Sequence, residues 1–157
     1  VAIKRFPSGK WLPERVSGTA QNGSMLFHKF KYPVTAISAQ LQQRPMPENA
    51  TSIKDVVFDI QAEGSLGTRV AKTTGWIQNP GPELEMHFDV HVDDLALDSR
   101  FRDALDDKAR KVIDTMGITG IATADVACHR PPGLDQPTNI IVDADVREAK
   151  MKFSGFQ

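Results

Sequence analysis

The sequence predicts a mainly β (α+β) fold: a curved antiparallel sheet of about six to eight strands, with one amphipathic helix packed on one face. Three observations carry this. Apolar and polar residues alternate with period two over most of the chain. Gly- and Pro-rich pairs fall between the alternating segments. One segment alone, Asp98 to Met116, switches to a period near 3.6.

The elements follow in order. Residues 1–15 form no clear pattern and are read as an N-terminal extension or edge segment, leaving 16–157 as a single β-rich, repeat-like module. Val16 to Lys29 is a strand interrupted by Asn22-Gly23, a dipeptide that favours a turn or bulge. Thr35 to Gln42 is the next strand, and Arg44-Pro45-Met46-Pro47 marks a longer loop. Val56, Phe58, Ile60 and Ala62 alternate with Asp59, Gln61 and Glu63. Gly64-Ser65-Leu66-Gly67 then turns the chain into Thr68 to Gln78, and Asn79-Pro80-Gly81-Pro82 turns it again. The clearest strand follows: Leu84, Met86, Phe88, Val90 and Val92 on one side, Glu85, His87, Asp89, His91 and Asp93 on the other.

From Asp98 to Met116 the apolar residues Phe101, Ala104, Leu105, Ala109, Val112, Ile113 and Met116 step by three and four. They form one helical stripe, with Asp98 or Ser99 to cap it and Gly117 to stop it. Such a stripe is read as a lid on the sheet. Thr119 to His129 and Asn139 to Phe153 return to alternation. In the last strand Ile140, Val142, Ala144 and Val146 are apolar at even positions, but Ala149, Met151 and Phe153 at odd ones. A bulge near Arg147 and Glu148 accounts for the change of phase.

That last strand also resembles the first. One constant spacing separates Val16 from Val142, Met25 from Met151, Phe27 from Phe153 and Phe30 from Phe156. The Asn22-Gly23 interruption falls where the later phase change falls. These matches indicate an internal repeat whose modules share a continuous sheet.

Composition excludes several classes. The chain has 157 residues, enough for one domain with a core that needs no metal or disulfide. Its 19 basic and 20 acidic residues leave a formal charge of −1, without the basic excess of a nucleic-acid binder. No run of about 18 apolar residues exists for a membrane helix. The start, Val1-Ala2-Ile3-Lys4, is not a signal peptide, and the chain reads as an interior piece. Cys128 is the single cysteine, expected as a small core residue.

No catalytic signature is present. There is no Gly-x-Ser-x-Gly elbow, and Gly64-Ser65-Leu66-Gly67 lacks the lysine of a phosphate loop. His87-x-Asp89-x-His91 is the sharpest chemical candidate. Its side chains share one strand face with neighbours about 7 Å apart, so the two histidines, about 13 Å apart, cannot hold one ion. A solvated outer face is the simpler reading, with acidic neighbours such as Asp93 raising the imidazole pKa where they lie close. His28 and His129 are isolated. Trp76 is expected to pack in the core or cover a sheet edge. No catalytic residue, metal or cofactor is assigned.

Three stretches carry a resemblance. Ala20 to Val34, with Phe27, Phe30 and Tyr32-Pro33, is similar to the Phe-x-Tyr-Pro strand and turn of AsmA-like proteins of bacterial envelopes. So is the run from Asn79-Pro80-Gly81-Pro82-Glu83 through the alternating strand and Leu95-Ala96-Leu97-Asp98 into the helix, and so is Ile140 to Phe156. The resemblance implies a structural or lipid-guiding module of a larger envelope protein. It would be periplasmic and attached to the inner membrane through a segment outside this chain, with phospholipid or envelope proteins as partners. On that reading Val56, Phe58, Ile60, Met86, Phe88 and Val90 form an apolar inner face partly open to solvent or detergent. Two other readings remain: a β-sandwich binding protein or carbohydrate, which would bury those six residues between two sheets, and a metal-dependent enzyme built on His87, Asp89 and His91. Free edges also predict edge-to-edge dimerisation.

Overall fold

A computed structural model describes residues 1–27 and 30–150. The chain is mainly β. It opens with a short hairpin, β1 (Ala2–Arg5) and β2 (Trp11–Arg15), which forms its own two-stranded sheet. Seven further strands then pair strictly in chain order: β3 (Ser17–Leu26), β4 (Pro33–Gln43), β5 (Val57–Leu66), β6 (Arg69–Gln78), β7 (Glu85–Ala96), β8 (Thr119–Arg130) and β9 (Asn139–Lys150). Every neighbouring pair is antiparallel and the sheet is open.

Register follows the alternation. Ile60, Gly75, Phe88, Cys128 and Ile140 stand opposite one another across five strands, as do Ala62, Thr73, Val90, Val126 and Val142. These rows make one apolar face. The opposite face carries Asp59, Trp76, His87 and His129 in one row, and Glu63, Lys72, His91, Asp125 and Asp143 in another. The β5–β6 turn needs only Gly67 and Thr68, because Gly67 takes φ +65° at the first central position of a two-residue hairpin loop.

Bulges gather at one end of the sheet. Asn22, Ala36, Asp94 and Glu148 all adopt left-handed φ between 49° and 57°, each beside a shift of register. The expected interruptions at Asn22-Gly23 and Arg147-Glu148 are therefore present, and they bend the two outermost strands in the same way. His28, with Met151, Phe153 and Phe156 of the repeat comparison, lies outside the described residues.

The expected single helix is in fact two: α1 (Ser99–Ala104) and α2 (Asp107–Met116). Leu105 is extended, at φ −72° and ψ 153°, and ends α1. Asp106 then restarts the helix by accepting a hydrogen bond from the amide of Ala109. Arg110 secures the joint, its guanidinium donating to the carbonyls of Arg102, Asp103 and Leu105 at the end of α1. Gly117, in the left-handed conformation, stops α2. Only α1 serves as a lid. Ala104 and Phe101 pack on the apolar face with Tyr32, Leu66, Ala71, Val92, Leu95 and Ala124, whereas α2 buries no residue fully.

The first fifteen residues are also better ordered than their sequence suggests. Phe6 and Leu12 of the hairpin close on Ala50 and Met46 in a second small core. Gln43 ties the hairpin to the main sheet by donating to the carbonyl of Pro13 at 2.9 Å.

Gly75 marks the closest approach within the sheet. A Cβ there would lie 2.2 Å from the carbonyl oxygen of His87 and 2.5 Å from the Phe88 ring, while a Cβ on Gly18 would meet nothing. Gly75→Ala is expected to destabilise the fold by about 1–3 kcal/mol in denaturant titration, with Gly18→Ala nearly neutral. Asp106→Ala should cost about 1 kcal/mol through the lost cap.

Candidate functional site

The two faces of the sheet offer different chemistry. On the apolar face, Phe58, Ile60, Met86, Phe88 and Val90 are each half-buried. Among the described residues the only other sheet is the two-stranded β1–β2 hairpin. Towards β9 the face opens further: Ile140 is 50% exposed and Val142 61%. Val56 departs from the expectation. It follows a 3₁₀ turn (Ile53–Asp55) just before β5, and it is wholly enclosed at 0% exposure, so it lines no open surface. The turn is fixed by a reciprocal cap between Ser52 and Asp55, which directs Val56 inward.

Cys128 sits on the apolar face opposite Phe88. Burial, with a smaller contribution from the Asp89 carboxylate, pushes its thiol pKa up, so at neutral pH it is an ordinary protonated thiol. Arg130 ends the same face, opposite Met86, and donates to the carbonyls of Gln136 and Pro82.

The polar face brings together residues that are far apart in sequence. Trp76 lies here, not in the core. Its ring stacks on His87 with centroids 6.5 Å apart, and the Arg44 guanidinium lies over it at 5.9 Å. Arg44 is itself held by a bidentate pair with Asp59, its Nε donating to Oδ2 and its Nη2 to Oδ1. That pair keeps the Asp59 carboxyl below its ordinary pKa. His87 also faces His129 across the β7–β8 ladder, with ring centroids 6.2 Å apart, and its Nε2 is 3.2 Å from Asp89.

His91 is turned to a different set of partners. Its Nδ1 is 2.6 Å from an Asp125 oxygen and its Nε2 is 3.3 Å from Asp93. The hydrogen bond with Asp125 is the largest cause of its raised pKa, with Asp93 adding to it. The alternation indicated Asp93; Asp125 arrives from β8, 34 residues away, and only the register reveals it. A shallow depression of about 400 Å³ lies beside this group, lined by Lys72, Thr74, Asp89, His91, Asp125 and Asp143 among others. His87 and His91 are thus committed to separate partners. The strand triad expected from sequence does not converge on one point, and among the described residues no group of three or more His, Cys, Asp or Glu side chains is arranged to hold a metal ion. Nor is any helix among them long and apolar enough to cross a membrane.

No protein-family description, no curated protein and no solved structure matches the chain.

The His91 geometry has a defined pH consequence. Because its folded pKa is raised, the contact stabilises the fold fully below the unfolded value near 6.5, and this contribution fades as pH rises through the folded pKa. NMR titration should place the His91 midpoint above 6.5, and Asp125→Asn should return it towards that value.

Proposed function

We propose that this chain is a non-catalytic, lipid-guiding or structural module of a larger AsmA-like protein of the bacterial cell envelope, working in the periplasm. The observation that carries the reading is the apolar face. It runs without a charge through the rows of Ile60 and Val90 from β5 to β9. At its outer strand it leaves Ile140 and Val142 in solvent.

Such a surface suits an acyl chain. Each methylene removed from water contributes about 0.8 kcal/mol, so a chain laid across several strands gains several kcal/mol without any specific polar contact. Extended apolar patches are uncommon on monomeric proteins unless something binds them. Arg130, a cation at the margin of the face, is the kind of partner a phosphate headgroup takes. The Phe-x-Tyr-Pro stretch, the Asn79-Pro80-Gly81-Pro82 turn and the amphipathic segment support the same family reading.

A closed sandwich would enclose Phe58, Ile60, Met86, Phe88 and Val90 between two sheets. Their half-buried state on a single sheet favours the open reading.

Native mass spectrometry of the protein purified without stripping detergent tests this. Phospholipid adducts are expected on the wild type and should be markedly fewer on Val142→Asp, a change at an exposed position whose folding circular dichroism checks. Absence of adducts, or equal adducts on both proteins, would count against lipid guiding.

A further inference from the structure

We propose that His87 and His129 form a two-imidazole site for a late first-row divalent metal ion on the polar face of the sheet. The site is independent of the lipid-facing surface, which is on the other side.

The register creates it. His87 and His129 are direct partners in the β7–β8 ladder, so both side chains leave the same face side by side. Their ring centroids are 6.2 Å apart at an angle of 55°. An ion bound by two imidazole nitrogens at about 2.0–2.1 Å each holds the ring centres about 4.5–5.5 Å apart at the angles of octahedral and tetrahedral sites. At 6.2 Å the pair stands within about 1–2 Å of that separation, a gap that side-chain rotation can close as it aims the nitrogens. Both rings are reachable: His129 is exposed, and the His87 side chain is 37% exposed.

The surroundings support His87 on one side. Trp76 stacks against its ring and Asp89 meets its Nε2, the kind of carboxylate contact that orients a metal-ligating imidazole. His91 takes no part, since Asp93 and Asp125 engage both of its nitrogens. With two protein ligands, water completes the coordination shell.

Ligand chemistry selects the ion. Imidazole suits Zn²⁺, Ni²⁺ and Cu²⁺, whereas Mg²⁺ and Ca²⁺ require oxygen ligands. No thiolate competes, because Cys128 lies on the opposite face.

The test uses Ni²⁺ and the full chain at mildly alkaline pH, where imidazole is deprotonated. A Trp11→Phe background leaves Trp76 as the only tryptophan. Saturable quenching of Trp76 emission at one Ni²⁺ per chain is expected, with Zn²⁺ calorimetry giving the same stoichiometry. His87→Gln and His129→Gln should each weaken binding at least about tenfold, since even an outer-shell partner is worth that much. His91→Gln should leave the affinity unchanged. No saturable quenching and no heat, or equal affinity in His129→Gln and the parent, would overturn the proposal, as would an equal loss in His91→Gln. Circular dichroism of each variant confirms that the sheet persists.

Discussion

A slip of one residue in the pairing of β7 with β8 would carry Phe88, Val90 and Val92 to the side now held by Asp89 and His91. The whole molecule rests on avoiding that slip through seven successive strands. Pure alternation would not suffice, because the apolar residues themselves change step. Val34 and Ile37 lie on one face although they are three apart, and so do Val92 and Leu95. In each case one left-handed residue, Ala36 or Asp94, absorbs the odd position. The bulges are therefore what keeps the apolar face continuous into the region covered by α1. Arg147 fastens two of them together, reaching from β9 past Thr123 of β8 to Asp94 of β7 at 2.6 Å.

Because the sheet is a single layer, its faces do not compete. Val90 packs against the core and continues into the open apolar face, while its neighbours Asp89 and His91 serve the polar side. The cost of this arrangement falls on the helices. α1 is only six residues long and covers one end of the apolar face; α2 adds length without fully burying a side chain. Most of the face is thus left to whatever adjoins the sheet, and this is where the lipid-guiding reading finds its support.

Local pattern made much of this legible. Alternation located β3 to β9, and the changes of phase at Asn22 and Glu148 located two bulges, because each is a property of a few consecutive residues. The break at Leu105 was hidden, since the three-and-four spacing of apolar residues continues through it; the signal was Asp106, an acceptor placed to cap a new helix. The β1–β2 hairpin was hidden because its strands are too short to alternate. The pairs His87–His129 and His91–Asp125 were hidden for a deeper reason. They join strands separated by both helices, and no spacing within either strand specifies the register between them.

The outer strands show the same bend but a different chemistry. β3, from Ser17 to Leu26, contains no charged residue, and its outward backbone groups are guarded only by the kink at Asn22. β9 carries Asp143, Asp145, Arg147, Glu148 and Lys150. Two copies of β9 aligned antiparallel about Ala144 would oppose Asp143 and Asp145, which repel; two copies of β3 meet no such penalty in any alignment. The sheet is consequently permissive along one margin and selective along the other, so the sense in which neighbours can be added to it is written in the charges of β9 and in their absence from β3.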